Sequence, residues 1–205
     1  MKADVKDVAR YLRMGRHVPE GALAARIEEL IAVADGETCP ACTWRRFTIE
    51  NGAVGSGELR MKISSTLARH LGECRDVYLV CGTLGARFDA FQRRVAVRSG
   101  ADALIVQAIG AALVEDLVDV IEDEIRAELA PGETLIQRYS PGFGDFSLEA
   151  QRAILTLLDT SRRIGVSLTD TLLMVPSKSV SAVIGVEAKC DAPFKAVDER
   201  SGDVI

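Results

Sequence analysis

Residues 76–95, DVYLVCGTLGARFDAFQRRV, contain an apolar run, a group of glycines and a helical pattern in close succession. The run 77–81 is continuously apolar, which is typical of a strand buried on both faces. A dinucleotide-binding loop would need a GxGxxG pattern and then a second strand ending in an acid about 20 residues later. The sequence after Gly85 is helical instead, so we interpret residues 81–85 as a tight turn that needs small residues.

Helical and strand-like patterns are mixed on both sides of this stretch, without the regular strand–helix–strand order of a parallel fold. The N-terminal side predicts helices over 5–14 and 22–34, a hairpin at Asn51-Gly52 and a helix closed by Gly72. The C-terminal side predicts a helix over 101–129, a strand over 134–139, a helix over 148–163 and two strands around the turn 176–179. The pattern predicts a single α+β domain over residues 1–205 with an antiparallel sheet, and a flexible polar tail over 190–205.

The composition argues against several classes of function. The chain has 205 residues, of which 48% are hydrophobic, and a formal net charge of -5. Its arginine pairs are scattered and form no basic block, so we expect no nucleic-acid binding. The charge-free run 103–114 is too short to cross a bilayer, which needs about 20 apolar residues. Because the N-terminus also lacks an apolar signal segment, the sequence predicts a cytoplasmic protein without membrane contact.

The cysteines suggest neither redox chemistry nor a metal site. There are five of them, irregularly spaced, and Cys39 and Cys42 form a C-x-x-C pair. This pair follows a helical pattern and precedes a strand-like one, whereas a thioredoxin motif follows a strand and opens a helix. Zinc would need further ligands at suitable spacing, which the other cysteines and two histidines do not offer. We interpret Cys39 and Cys42 as ordinary thiols.

The helix predicted over 101–129 changes character half-way along. Isoleucine or leucine recurs every four residues from Ile105 to Ile125, which keeps one face of the helix apolar. Carboxylates are frequent from Glu115 onward, so Glu115 lies at the edge of the apolar half. A partly buried carboxylate needs a partner, so Glu115 could face a cleft. An ordinary surface acid is the alternative that the residues leave open.

Residues 137–151, QRYSPGFGDFSLEAQ, contain the most informative motif. Within them, RYSPGF (138–143) resembles the Arg-x-x-x-Gly-Tyr-Pro motif of the activation domain of cobalamin-dependent methionine synthase. Residues 76–85 resemble that family's strand and glycine turn, and residues 102–126 resemble its long helix, including Val114-Glu115. Residues 164–185, IGVSLTDTLLMVPSKSVSAVIG, resemble its segment ending in Ser-Val-Ser-Gly. The resemblance is clearest over residues 76–187.

The resemblance implies a bent, mainly antiparallel sheet and a shallow groove that binds S-adenosylmethionine. Arg138 would contact the methionine carboxylate, because a guanidinium binds carboxylates in a bidentate manner. Glu115 would lie on the amino-acid side of the ligand. The backbone of Ser140 would hydrogen-bond the adenosyl part, Gly142 would permit close approach, and Phe143 would pack beside the ligand.

Three features of the family's pattern are changed or have no assigned counterpart in this sequence. Phe143 replaces the motif's tyrosine, and Val183-Ile184 replace an aromatic pair. For the family's early ligand-binding aspartate, Asp4 and Asp7 are the candidates. Two aromatic contributions to the site are therefore reduced, and we expect S-adenosylmethionine to bind weakly.

The resemblance also implies a partner, because this domain caps a corrinoid held by a neighbouring domain so that the corrinoid can be reduced and remethylated. The chain lacks the cobalamin signature Asp-x-His-x-x-Gly. The first hypothesis is therefore a free-standing accessory subunit that serves a corrinoid-binding methionine synthase or related methyltransferase in methionine biosynthesis, with cobalamin carried by the partner. The alternative is a module that docks on a corrinoid protein without binding S-adenosylmethionine. A third hypothesis is that the chain is an unrelated enzyme with the same fold.

Overall fold

A six-stranded antiparallel sheet runs through the middle of the computed structural model, which describes residues 3–15 and 17–188. The strands are β1 (Ala41–Glu50), β2 (Ala53–Val54), β3 (Met61–Lys62), β4 (Asp76–Thr83), β5 (Glu133–Leu135), β6 (Ser167–Leu168), β7 (Met174–Val175) and β8 (Ser179–Ala188). The sheet order is β3-β2-β1-β4-β8-β5, while β6 and β7 form a separate antiparallel ribbon. The predicted α+β class with a mainly antiparallel sheet is confirmed.

Helices cover both faces of this sheet. They are α1 (Val5–Tyr11), α2 (Gly21–Glu37), α3 (Ser65–Leu71), α4 (Ala86–Arg98), α5 (Gly100–Glu128), α6 (Ala150–Leu158) and α7 (Thr160–Ile164), with one turn of 3-10 helix over Gly57–Leu59. Helices α1, α2, α4 and α5 contribute to one buried cluster, and α3 and α6 contribute to a second. The central strands separate the two clusters.

Strand β4 shows why two layers of helices are needed. Its alternate residues Tyr78 and Val80 belong to the core beneath α5, whereas Val77, Leu79 and Cys81 belong to the core beneath α6. All five are buried, since successive side chains of a strand point to opposite faces. The continuous apolar run therefore forms a strand with both faces buried, as the sequence predicts.

Helix α5 is the longest element and packs along the sheet. Ser99 caps its N-terminus by accepting a hydrogen bond from the backbone N–H of Asp102 at 3.1 Å. The apolar residues predicted to form one face are all buried, from Ile105 through Ile109, Leu113, Leu117 and Ile121 to Ile125. This row fixes the rotation of the helix, and with it the direction of its carboxylates.

Several element boundaries differ from those that the sequence predicts. Strand β4 continues through the expected turn to Thr83, and Leu117 and Ile121 of α5 lie close against Gly82. The helix predicted over 148–163 is divided at Asp159, which adopts a left-handed conformation with φ 52°. The strand predicted over 134–139 is shorter, with a single further bridge between Tyr139 and Val183. The predicted tail lies outside the described residues.

The contact between α4 and α5 gives a stability prediction. A Cβ atom at Gly110 would lie 2.5 Å from Cε1 of Phe88 and 2.7 Å from Cε of Lys178, both in buried side chains. Gly110→Ala should therefore lower the free energy of unfolding by about 1–3 kcal/mol, the usual effect of overpacking. Urea denaturation measures this difference.

Gly36 provides a matched control, because it is also helical but has no neighbour within 4 Å of a Cβ atom. Gly36→Ala should leave stability unchanged or raise it by up to about 1 kcal/mol, the helix propensity difference. If Gly110→Ala were as stable as Gly36→Ala, the close packing at this contact would be contradicted.

Candidate functional site

A groove of about 480 Å³ opens between α3, α5 and the loop that follows β5. It is lined by His70, Glu115, Gln137, Arg138, Tyr139, Ser140 and Phe143. Four of the five residues singled out by the sequence therefore meet along one groove, although Glu115 is separated from the others by more than 20 positions. The fifth, Gly142, is not among the lining residues and instead shapes the loop behind them.

Arg138 is held by three carboxylates from one face of α5. Its Nη1 donates to Oδ1 of Asp119 at 2.7 Å and to Oε1 of Glu122 at 2.8 Å, and its Nη2 donates to Oε2 of Glu115 at 2.7 Å. Positions 115, 119 and 122 follow the helical repeat, so one guanidinium reaches all three. Burial lowers the pKa of Arg138, but these hydrogen bonds outweigh it, so the pKa lies above its ordinary value.

The same carboxylates leave part of Arg138 available. A guanidinium has five N–H donors, and the three bonds to α5 use three of them. Nε–H and one of the two Nη2–H groups are thus left without an acceptor in the described part of the chain. Two donors are what a carboxylate uses when it binds in a bidentate manner.

The rings of His70, Tyr139 and Phe143 form an aromatic wall of the same groove. The ring centroid of Tyr139 lies 4.9 Å from that of His70 and 6.2 Å from those of Phe143 and Phe146. His70 is oriented by a 2.6 Å hydrogen bond between Nε2 and the carbonyl oxygen of Gln137. The Phe143 side chain is 64% exposed, an uncommon state for a phenylalanine that packs on other rings. The wall presents apolar faces to the groove.

The glycines of the loop serve its geometry. Gly142 has φ 98°, and its N–H donates to the carbonyl oxygen of Phe146 at 2.6 Å. Gly144 has φ 55°, and a Cβ atom there would lie 2.7 Å from Oγ1 of Thr66 and 2.9 Å from the hydroxyl of Tyr139. Positive φ angles and close approaches of this kind favour glycine.

Asp145 fastens the loop to the start of α3. Its carboxylate accepts hydrogen bonds from the backbone N–H groups of Ser65 at 3.1 Å and Thr66 at 3.0 Å, and from the Thr66 hydroxyl. These bonds satisfy donors at a helix N-terminus, which lack partners within the helix. The loop is thereby held at both ends, by Arg138 on α5 and by Asp145 on α3.

The sequence analysis did not single out three residues that line the groove, His70, Gln137 and Tyr139. It also did not single out Asp119 and Glu122, which bind Arg138 from α5. Tyr139 lies inside the quoted motif, and its place between two groove residues could have indicated its role. Asp119 and Glu122 could have been found by taking helical steps from Glu115. His70 lies 67 positions before Gln137, and nothing in the sequence connects the two.

Other candidate residues lie elsewhere. Asp4 and Asp7 form a capping box at the start of α1, and line a different cavity with Ile31, Asp35 and Leu113. Val183 and Ile184 are fully buried on opposite faces of the sheet. The structure does not bring these four residues into the groove.

Cys42 of the C-x-x-C pair lacks the environment that activates a thiol. Burial raises the pKa of the Cys42 thiol, the opposite of what activates a redox cysteine. Across residues 3–15 and 17–188, no group of three or more histidine, cysteine, aspartate or glutamate side chains is arranged to hold a metal ion. Within the same residues, no helix combines the length and apolar character needed to cross a membrane.

Comparison with known protein families agrees with this geometry. The family model described as "Vitamin B12 dependent methionine synthase, activation domain" matches residues 80–197, more than half of the chain. The chain belongs to this activation-domain family. The match begins within β4, contains the Arg138–Phe143 motif, and extends ten residues beyond residue 187, the last residue of the clearest resemblance in sequence.

A solved structure resembles the chain in its fold. This structure, the crystal structure of the MetH reactivation domain bound to AdoHcy, aligns with a TM-score of 0.58 and 14% sequence identity. The alignment covers 90% of the present chain and 77% of the MetH chain. A search among curated proteins found no match. The structural likeness shows that the activation-domain fold is shared, including the region before residue 80.

The attachment of the loop by Asp145 should make stability depend on pH. The hydroxyls of Ser64 and Thr66 and the N–H of Thr66 hold the pKa of Asp145 well below its ordinary value. A lowered folded-state pKa contributes stability that is present above the unfolded pKa of about 3.9 and lost as pH falls toward the folded value. Asp145→Ala should therefore be less stable than wild type at pH 7, and the difference should shrink below about pH 4.

Chemical denaturation at pH 7 and at pH 3 tests this expectation. Asp170→Ala is a suitable control, because Asp170 is exposed and its carboxylate makes no hydrogen bond in the described part of the chain. If the difference in free energy of unfolding between wild type and Asp145→Ala were the same at pH 7 and pH 3, the role of the Asp145 carboxylate would be contradicted.

Proposed function

We propose that this chain binds S-adenosylmethionine in the groove around Arg138 and acts in trans to reactivate a cobalamin-dependent methionine synthase. The observation that carries the proposal is the meeting of Glu115, Arg138, Ser140 and Phe143 along one groove in a member of the activation-domain family. The related fold of the MetH reactivation domain, which was crystallised with AdoHcy, supports the same ligand class. The proposal includes a cytoplasmic role in methionine biosynthesis and a single domain over residues 1–205.

The amino-acid part of the ligand would lie at Arg138. Its carboxylate would take the Nε–Nη2 edge, and its ammonium group would face Glu115, whose side chain is 44% exposed. Both contacts are charge-assisted, so they are stronger than hydrogen bonds between neutral groups. Because Asp119 and Glu122 already orient the guanidinium, little side-chain entropy would be lost on binding.

The adenosyl part would lie along the aromatic wall. The N–H of Ser140 has no hydrogen-bond partner in the described part of the chain, and it could donate to the nucleoside. Phe143 would cover the ligand from the solvent side. It provides a ring without the hydroxyl of the family's tyrosine, and Val183 and Ile184 provide no ring. These differences are the reason to expect weak affinity.

The partner would be a protein that carries the corrinoid. Cobalamin, when bound to that partner and reduced, supplies the site that accepts the methyl group. On the present chain, Phe143 and Leu148 are exposed beside the groove, and Leu148 contacts the Gly142 position. Exposed apolar side chains at the rim of a groove suit the approach of a flat macrocycle.

A specific observation also favours the alternative, a docking module that does not use S-adenosylmethionine. The three carboxylates of α5 already neutralise Arg138, so a ligand carboxylate must approach a guanidinium surrounded by acids. A measurement of S-adenosylmethionine binding distinguishes the reactivation function from the docking module.

Calorimetric titration with S-adenosylmethionine tests the role of Arg138. Arg138→Ala should weaken binding by about one to two decades, the usual worth of a charge-assisted contact of roughly 1.5–3 kcal/mol. Arg162→Ala is the control, because Arg162 is on α7 and its exposed side chain pairs with Asp159. Equal affinity in wild type and Arg138→Ala would exclude the arginine contact. No binding to wild type at millimolar ligand would leave the docking module as the better proposal.

Reactivation in trans is tested with a corrinoid methionine synthase that lacks its own activation domain. The partner is mixed with S-adenosylmethionine, a reductant and the present protein, and the cob(II)alamin absorbance band is followed. The band should convert to that of methylcobalamin faster when the protein is added, and Arg138→Ala should slow the conversion. An unchanged rate and spectrum would exclude reactivation, whatever the ligand affinity.

A further inference from the structure

A small cavity on the face of the sheet covered by α6 is lined by three arginines. It has a volume of about 170 Å³, and its walls are formed by Arg45, Leu157, Leu158, Asp159, Arg162 and Arg163. Arg45 lies on β1, whereas Arg162 and Arg163 lie on α7, more than 100 positions later in the chain. The fold thus brings together members of two arginine pairs that are far apart in sequence. None of these residues lines the groove around Arg138, so the cavity is a separate site.

Two of these arginines are held in place by neutral acceptors. Nη2 of Arg45 donates to the carbonyl oxygen of Leu157 at 2.7 Å, and Nη1 of Arg163 donates to Oγ1 of Thr43 at 3.0 Å. Cζ of Arg45 also lies 4.4 Å from the centroid of the Phe47 ring, which is within the range of a cation–π contact. These contacts orient both guanidinium groups, but in the described part of the chain neither group has a carboxylate partner.

The walls of the cavity therefore have an excess of positive charge. Nε of Arg162 donates to Oδ2 of Asp159 at 2.6 Å, so the charges of that pair cancel. Arg45 and Arg163 add two further positive charges, although the chain as a whole has a formal net charge of -5. Like charges around one small cavity repel each other, and a bound anion would replace this repulsion by attraction.

The free hydrogen-bond donors indicate the kind of anion. A guanidinium has five N–H donors, and each of the three arginines uses one of them in the bonds described above. The planar guanidinium matches the geometry of phosphate, whose oxygens can accept hydrogen bonds from several arginines at once. Pockets for drug-sized ligands have volumes of about 300–1,000 Å³, so a cavity of about 170 Å³ suits one small group.

We propose that Arg45, Arg162 and Arg163 form a binding site for a phosphate group, which is either inorganic phosphate or the end of a phosphate monoester. A phosphate monoester carries a charge of about -1.5 to -2 at pH 7, which offsets the two positive charges that lack a carboxylate partner. The role of the site is independent of the ligand proposed for the groove.

The neighbouring surface offers room for the organic part of a monoester. A second cavity, of about 450 Å³, shares Asp159 with the first. Ser161 and Ser167 also line it, and both residues are exposed. Hydroxyl groups can both donate and accept hydrogen bonds, so this cavity suits a polar organic group attached to the phosphate.

Titration of the ¹⁵N-labelled chain with inorganic phosphate, followed by two-dimensional NMR at constant ionic strength, tests the site. The backbone and Nε–H signals of Arg45, Arg162 and Arg163 should shift and saturate with one dissociation constant. Sodium acetate should bind at least about tenfold more weakly, equivalent to about 1.4 kcal/mol, because a carboxylate has one negative charge and only two oxygens. Titration with glycerol 3-phosphate distinguishes the two sources of phosphate. Tighter binding than that of inorganic phosphate would support a monoester, and equal or weaker binding would support free phosphate.

Substitutions separate the cavity from the overall charge. Arg163→Gln and Arg45→Gln should each weaken phosphate binding at least about tenfold, and both side chains are exposed, so the variants should fold. Arg163→Lys keeps the charge but loses the planar fork, so its affinity should lie between those of wild type and Arg163→Gln. Arg98→Gln is the control, because it removes one positive charge from an exposed position on α4, which packs on the opposite face of the sheet.

Three results would overturn the proposal. The first is a set of shifts that do not saturate at millimolar phosphate. The second is an equal loss of affinity in Arg163→Gln and Arg98→Gln, because binding would then follow the net charge of the protein and not the cavity. The third is a dissociation constant that neither Arg163→Gln nor Arg45→Gln changes. Loss of affinity in these two variants, with wild-type affinity in Arg98→Gln, would support the site.

Discussion

The burial of β4 on both faces is the constraint on which the rest of the structure depends. The five consecutive residues 77–81 of this strand all lie in hydrophobic cores. Such a strand cannot belong to a sheet that has one face exposed to solvent. It needs neighbouring strands to hydrogen-bond its backbone and helices on both sides to cover its side chains. Strands β1 and β8 hydrogen-bond the backbone of β4 through antiparallel pairing. Helices α5 and α6 cover most of its side chains, one on each face.

The arrangement of α5 follows from this constraint and connects the core to the groove. Its apolar row packs over β4 and β8, which leaves the positions 115, 119 and 122 directed toward the loop after β5. Three acids close together on a helix would repel one another, and Arg138 supplies the charge that holds them. The arginine is thus part of the scaffold as well as a candidate ligand contact, and our proposal about ligand binding rests on this dual position.

Contacts between several elements hold the groove residues together. Asp145 joins the loop to α3, Tyr139 is bridged to Val183 of β8, and aromatic contacts link Tyr139 to rings on both sides. A site held on strands and helix ends keeps its geometry without a ligand, which lowers the entropy lost on binding. These contacts support our proposal that the groove binds a ligand, although two aromatic positions of the family's pattern are replaced.

The sequence by itself determined the secondary-structure classes, the antiparallel α+β fold and the family, because these depend on local patterns and motifs. The apolar run 77–81, the Asn51-Gly52 hairpin and the residues 138–143 could all be interpreted from a few neighbouring positions. The tertiary structure alone decided that Asp119 and Glu122 share Arg138 with Glu115, that His70 stacks on Tyr139, and that Asp4 and Asp7 lie outside the groove. Such contacts depend on the rotation of α5 about its axis and on the docking of α3, and packing over the whole sheet fixes both. The helical spacing of positions 115, 119 and 122 indicates only that the three acids share one face of α5, not that Arg138 meets them there.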